Sequence, residues 1–218
     1  PVLGYNDKTI VHSDDFAKDK LDLQWQWNHN PVDEAWSLTV REGYLRLKTS
    51  RIAQNLFMAP NTLTTRMEGP TCEAVVKMDV SQMKDGDVAG FAAFQGDAAL
   101  LSVVKEGKKW FVVGSKDNSV LSDEQKMVTG VKHEEVYRQA VKSKTIYLKI
   151  SCDFHKDKDL ATLSYSLDGK KWTEAIRDFK MMFDYRRLFM GTRFAIYNYA
   201  TKNAGGYVDV DSFGYSKK

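Results

Sequence analysis

The chain has 218 residues, 43% hydrophobic and 12% aromatic, a composition able to bury a core and unlike that of a disordered segment. Its 32 lysines and arginines nearly cancel 29 aspartates and glutamates, leaving a net charge of +3 with the signs interleaved, so nucleic acid is not an expected partner. No stretch approaches the ~18 consecutive apolar residues of a membrane-spanning helix, so no membrane partner is expected, and two cysteines cannot build a disulfide framework.

The opening Pro-Val-Leu-Gly carries neither an initiator methionine nor a signal-peptide pattern, and the chain reads as a processed product or a piece of something longer. Strand signals separated by turn signals follow. Candidate strands cover 10–16, 21–28, 36–41, 44–48, 73–80, 89–95, 100–105 and 109–114, then 144–154, 160–167, 190–199 and 206–215. About a dozen strands are too many for one open sheet to stay uncurled, so an all-β sandwich of two antiparallel sheets is expected over 1–218. Arg41-Glu42-Gly43-Tyr44 and Leu167-Asp168-Gly169-Lys170 read as tight hairpins, since glycine supplies the positive φ they need, and Gly205-Gly206 joins the last two strands. Segment 115–143 is polar and weakly patterned and is expected to hold one or two short strands. One short helix is predicted over 179–188. Cys72 and Cys152, each in a candidate strand, read as two separate buried thiols.

Signatures of catalysis are absent: there is no Gly-x-Ser-x-Gly, Walker-type loop, His-Glu-x-x-His or dinucleotide fingerprint. The polar chemistry lies elsewhere. In Leu23-Gln24-Trp25-Gln26-Trp27-Asn28-His29-Asn30-Pro31, strand alternation puts Leu23, Trp25 and Trp27 on one side and Gln24, Gln26 and Asn28 on the other. The tryptophans read mainly as core, with Trp27 as stacking platform or core support. Asn28, His29 and Asn30 then form a polar strand end, because Pro31 stops the strand there. In Gly191-Thr192-Arg193-Phe194-Ala195-Ile196-Tyr197-Asn198-Tyr199, Phe194 and Ile196 face one way, and Arg193, Tyr197 and Tyr199 the other. Amides, arginines and phenolic rings suit sugar hydroxyls and flat C–H faces, and Arg66 and Gln95 are added to this candidate set. Asp209 and Asp211 read as a solvated strand face; the alternative is a structural calcium ion with Asp14 and Asp211 among its ligands, the one cofactor considered.

Taken in order, Trp25-Gln26-Trp27-Asn28-His29-Asn30-Pro31, Arg41-Glu42-Gly43-Tyr44-Leu45-Arg46-Leu47, Asn61-Thr62-Leu63-Thr64-Thr65-Arg66, Gly86-Asp87-Val88-Ala89-Gly90-Phe91, Phe94-Gln95 and the close at Asp209-Val210-Asp211-Ser212-Phe213 carry a resemblance. The chain resembles the C-terminal concanavalin A-like module of family 43 glycoside hydrolases, the β-xylosidase and α-L-arabinofuranosidase group. The resemblance implies a jelly-roll sandwich beside a catalytic five-bladed propeller. With about four strands per blade, no propeller fits in this chain, so no catalytic residue is expected. It further implies two roles. One is binding of xylan, xylo-oligosaccharides or arabinoxylan; the other is a loop, with Phe189 as its candidate phenylalanine, lent to the rim of the propeller's pocket. Such a parent enzyme implies an extracellular or periplasmic location. A structural brace without sugar affinity, and less readily a free-standing glycosidase, remain the alternatives.

Overall fold

Apolar and polar residues alternate along much of the chain, and the computed structural model, which describes residues 9–217, converts that alternation into two seven-stranded antiparallel sheets. In chain order the strands are β1 Gln26–Trp27, β2 Trp36–Ser37, β3 Leu45–Lys48, β4 Leu63–Arg66, β5 Thr71–Asp79, β6 Asp87–Phe94 and β7 Asp97–Glu106. They continue with β8 Lys109–Leu121, β9 Val128–Val141, β10 Thr145–Asp153, β11 Leu160–Ser166, β12 Thr173–Lys180, β13 Arg193–Ala200 and β14 Tyr207–Lys217. One sheet runs β1-β4-β13-β6-β7-β8-β9 and the other β12-β11-β10-β5-β14-β3-β2. The expected concanavalin A-like sandwich is what forms.

The second sheet follows the simple rule of one buried and one wet face. In β5 and β10 every second residue is buried, so Cys72, Ala74, Val76 and Met78 face inward while Glu73, Lys77 and Asp79 face out. Between the sheets lie Phe91 and Phe194, stacked 5.5 Å apart, with Phe213 of the opposite sheet edge-on to both at 6.3 and 6.1 Å. Such ring pairs add to the area they bury. Cys72 and Cys152 are two buried free thiols, as expected, and stand directly opposite one another on β5 and β10.

Several expected elements differ, each for a local reason. Segment 10–16 makes a single bridge, Asp14 to Phe213, because the Asp14 carboxylate takes the Phe16 N–H and the Trp25 indole N–H, both at 2.8 Å, and Phe16 sits at φ 52°. Of 21–28 only β1 is strand. Trp25 N–H closes a turn onto the Asp22 carbonyl at 3.0 Å, which leaves Leu23 fully exposed instead of aligned with the tryptophans. Segment 115–143 is no loose stretch: β8 continues to Leu121 and pairs with the fourteen-residue β9, whose mostly exposed residues hide the apolar alternation. The helix predicted over 179–188 is absent. Phe179 belongs to β12, and the Asp184 carbonyl closes only one turn onto Arg187 and Leu188. Strands β4 and β12 lay outside the expected set.

Asp209 and Asp211 carry ion pairs on the outer face of the second sheet. Asp209, almost fully buried, accepts from Arg46 at 2.7 and 2.8 Å, and Arg41 bridges it to Asp79 at 3.0 and 2.9 Å. Asp79 lies directly opposite Asp209, so Arg41 removes what would otherwise be cross-strand repulsion. Asp211 holds Lys77 at 3.0 Å.

Two expectations follow. A Cβ at Gly90 would lie 2.3 Å from the Leu101 carbonyl oxygen and 2.7 Å from the Tyr197 hydroxyl; Gly90→Ala should cost ~1–3 kcal/mol in denaturant unfolding by overpacking. At the β11–β12 hairpin the Asp168 carboxylate accepts the Lys171 and Lys170 backbone N–H groups, which hold its pKa at about 2 against the ordinary 3.8. A depressed carboxyl stabilises the fold above its unfolded pKa and loses that effect as the pH falls through the folded one. The thermal midpoint of Asp168→Ala should therefore lie below wild type at neutral pH, with the gap closing between pH 3.8 and about 2.

Candidate functional site

The first sheet breaks the one-wet-face rule. Strand β6 is buried at all eight positions, so its outer face, too, needs a cover. Part of that cover is segment 49–62, whose 3₁₀ turn Leu56–Met58 lays Leu56 into a second apolar cluster with Ala92, Phe94, Leu100, Tyr197 and Tyr199. Leu188 and Met190 from segment 181–192 pack on the same cluster. What the two segments leave uncovered is a cleft of about 730 Å³ across β6 to β9, within the range of ligand sites.

The floor of the cleft is built by cross-strand register. Tyr197 on β13 lies opposite Gly90 on β6, which lies opposite Ser102 on β7. The ring passes over the side-chain-free glycine, and its hydroxyl meets Ser102 Oγ at 2.7 Å. Val88, Leu100, Val104 and Val113 give apolar floor on either side of Ser102. Tyr199 is only 7% exposed, lines the cleft and has no hydrogen-bond partner for its hydroxyl among the described residues. Burial first, and the charge of Asp117 second, push its phenol well up, so it stands there as a neutral donor and acceptor.

The far wall is β8 and β9. Asp117, almost fully buried, bonds His133 Nδ1 at 2.6 Å, its strand partner. Burial pushes the Asp117 carboxyl up, and the His133 bond pulls it part of the way back. A bulge in β9 between the partners of Gly114 and Ser115 puts Glu135 and Arg138 on the same face although they are three residues apart, and they form a fork at 2.8 and 2.8 Å. Arg138 holds the Glu135 carboxyl below its ordinary value. Two carboxylates thus line the cleft, but each is engaged by a neighbour. They act as fixed polar walls rather than as a free acid and base.

Of the sugar-contacting candidates, Trp27 faces the main core and the others lie on this outer face or in the segments that border it. Tyr199 enters the cleft, whereas Tyr197 is completely buried and acts from beneath it. Arg66 and Arg193 are directly opposite on β4 and β13, at the other end of the face beyond the 3₁₀ turn. Arg193 donates to Gln26 Oε1 and, at 3.3 Å, to Thr64 Oγ1. His29 Nε2 lies 2.7 Å from the Phe57 carbonyl oxygen and 3.3 Å from the Asn28 amide, so Asn28 and His29 flank that turn; Asn30 is exposed beside them. Trp27 is half-buried, 5.2 Å from Trp36 and packed on the main core. Gln95 is fully buried and donates to the Leu188 and Met190 carbonyls at 2.8 and 3.2 Å, which anchors segment 181–192. On that segment Phe189 is 83% exposed, 6.1 Å from Phe183, with Tyr185 exposed nearby in sequence. Ser115, Asp117 and His133 escaped the sequence reading, since segment 115–143 shows no apolar alternation to set their face.

The residues considered for calcium do not fit one. Both Asp14 oxygens accept protein N–H groups and Asp211 is paired with Lys77. Among the described residues no group of three or more His, Cys, Asp or Glu is arranged to hold a metal ion.

Residues 13–216 match the family model described as the β-xylosidase C-terminal concanavalin A-like domain. A β-xylosidase of Formosa agariphila is 31% identical over 239 residues, covering 99% of this chain and 36% of that protein. Among solved structures, a bifunctional GH43-CE protein of Bacteroides eggerthii superposes with a TM-score of 0.86 at 40% identity, over 96% of this chain and 26% of its own. A GH43 glycoside hydrolase engineered to display both endo-xylanase and exo-arabinofuranosidase activity gives 0.85 at 30% identity, over 97% and 42%. The chain thus spans about a third of the curated relative and less than half of each solved chain, the rest of which is further sequence. It belongs to the β-xylosidase C-terminal concanavalin A-like domain family of the family 43 glycoside hydrolases.

Proposed function

We propose that this chain is a non-catalytic, glycan-binding accessory module for xylan, xylo-oligosaccharides or arabinoxylan, working beside the catalytic propeller of a β-xylosidase or α-L-arabinofuranosidase. The observation that carries this reading is a cleft of about 730 Å³ with a largely buried Tyr199 on its wall, whose hydroxyl has no partner among the described residues and stays accessible. An accessible phenol on a cleft wall exchanges its water for a sugar hydroxyl at a small net gain, and its ring supplies the apolar side of the contact. The cleft mixes valine floor with Ser102, Ser115 and His133, as needed for rings that are flat and apolar on their faces and polar at their edges. The names of the relatives supply the substrate class: a β-xylosidase and an endo-xylanase that is also an exo-arabinofuranosidase.

A second role rests on a separate observation. Phe183, Tyr185 and Phe189 are 61, 66 and 83% exposed on one segment that Gln95 pins to the sheet. Exposed aromatic residues on an anchored loop are the composition of an interface. In this reading segment 181–192 docks the propeller, with Phe189 at the rim of its pocket.

Tyr199→Phe keeps the ring packing and removes only the free hydroxyl. It should weaken retardation on a xylan affinity gel about fivefold, the worth of one net hydrogen bond, with an unchanged thermal midpoint. Unaltered retardation, or none by wild type on any plant glycan, would sink the binding reading. For the docking reading, Phe189→Ala in the chain joined to its propeller should lower xylosidase kcat/KM about tenfold, as truncation of a buried interface aromatic does, while glycan retardation of the module stays at the wild-type level. Wild-type turnover in that variant removes Phe189 from the rim.

A further inference from the structure

We propose that Arg66 and Arg193 form a carboxylate-binding site for uronic-acid side groups of the glycan, at the opposite end of the outer face from the cleft. This deepens the glycan-binding reading and rests on it. The two arginines are direct cross-strand partners, so they project from the same face, and like charges placed so are mutually destabilising unless an anion joins them. Among the described residues no carboxylate pairs with either. Arg41, Arg46, Arg138, Arg177, Arg186 and Arg187, by contrast, each hold an aspartate or glutamate, and the remaining Arg51 stands alone on the Met58 carbonyl rather than beside a second arginine. Glu68, two residues beyond Arg66, is engaged elsewhere: its oxygens accept the Ile10 N–H at 3.1 Å and the Tyr215 hydroxyl at 2.9 Å.

The guanidinium of Arg193 is already oriented. Its Nη1 is held by two neutral acceptors, Gln26 Oε1 and Thr64 Oγ1, which fix the fork without cancelling its charge. Among the described residues the Nε and Nη2 edge has no acceptor, and that edge is the one that grips a carboxylate by two parallel bonds. Burial, and then the charge of Arg66, push this guanidinium down from its ordinary value, as expected of a partly desolvated cation that lacks a counter-ion. Apolar surface adjoins it. Phe94 lies opposite Arg193 on β6 and packs at 5.3 Å against Phe57, whose carbonyl binds His29. A sugar ring bearing a carboxylate finds there a half-buried phenylalanine, an imidazole and two unpaired cations on one face. An acidic side chain of the adjoining catalytic domain would also offer a carboxylate, but the site shares its face with the cleft, which favours the glycan.

The test compares a uronic-acid-bearing xylan with the same polysaccharide after its carboxyl groups are reduced to alcohols. In affinity electrophoresis the 218-residue chain should bind the native polysaccharide about tenfold more tightly than the reduced one, a factor within the range of one charge-assisted bidentate contact. Added salt should narrow that gap. Arg66→Gln and Arg193→Gln should each abolish the preference, so that the native and the reduced polysaccharide are bound alike. Thermal midpoints should not fall in Arg66→Gln, since it removes a repulsion. Equal affinity of wild type for the two polysaccharides, or a preference that survives both substitutions, overturns the proposal while leaving cleft binding intact. If neither polysaccharide is bound, the glycan reading itself has failed. In that case sodium glucuronate titrated into isotope-labelled chain decides: shifts at the Arg66 and Arg193 Nε–H signals uphold a carboxylate site, and their absence overturns it. Retention of the preference together with loss of propeller binding in the two variants assigns the pair to an acidic docking partner instead.

Discussion

Strand β6 is buried at every position from Asp87 to Phe94, and the outer face of the molecule is arranged around that constraint. An antiparallel sheet ordinarily leaves one face to water. This one cannot, because Val88, Ala92, Phe94, Ala98 and Leu100 are apolar on the side away from the sandwich core. Segments 49–62 and 181–192 are drawn over it, with Leu56 and Met190 as their apolar contacts. The cleft is the remainder of that face, so its walls and its position follow from where the cover stops.

The same constraint explains the composition of the strands beneath. Ala89, Gly90, Ala92 and Ala93 give β6 little side-chain bulk on either face, which admits Phe91 and Phe194 to the core on one side and the Tyr197 ring on the other. Tyr197 fills the space over Gly90 and ends on Ser102, binding three neighbouring strands across their ladders by one side chain. Glycine weakens a strand for want of a packing side chain, and the ring of a neighbour restores the contact. A floor set by register on rigid strands is better fixed than one set by loops, so Tyr199 beside it is held in a fixed place on the cleft wall.

Much of the fold was legible because apolar alternation survives wherever one face is wet: β5, β10 and β11 were placed within a few residues by that signal alone. It failed where burial is two-sided or absent. Strand β9 is exposed nearly throughout, and nothing in Val128–Val141 separates it from a polar loop. In 21–28 the alternation was read through a turn that sequence does not mark, which put Leu23 with the tryptophans. Gln24 then turns inward and bonds both the N–H and the carbonyl of His12, at 2.9 and 3.0 Å, in place of a neighbouring strand. The face of Arg193, Tyr197 and Tyr199 was read correctly, yet alternation cannot say which of them is roofed by another segment. Only the passage of Tyr197 over Gly90 decides that. The cleft itself draws on β6, β7, β8, β9 and β13, and no local pattern contains a site assembled from five strands.

The turn Leu56–Met58 has a consequence for how the two proposed roles relate. Met58 and Asn55 stand at the rim of the cleft, while Phe57 on the same turn packs on Phe94, the register partner of Arg193. Asn55 caps the turn through the Met58 N–H at 3.2 Å, and His29 fastens it from the other side through the Phe57 carbonyl. One short element therefore divides the outer face into two compartments and is anchored to both. The exposed aromatic segment is tied by Gln95 next to Phe94, by Arg187 to Asp97 of β7 and by Arg186 to Gln125 in the β8–β9 turn. A propeller docked on Phe189 would thus approach the strand ends that carry Phe94 and Arg193. Glycan binding at the arginine pair and docking through Phe189 would therefore share one edge of the outer face, whereas the Tyr199 wall of the cleft lies toward the other ends of the same strands.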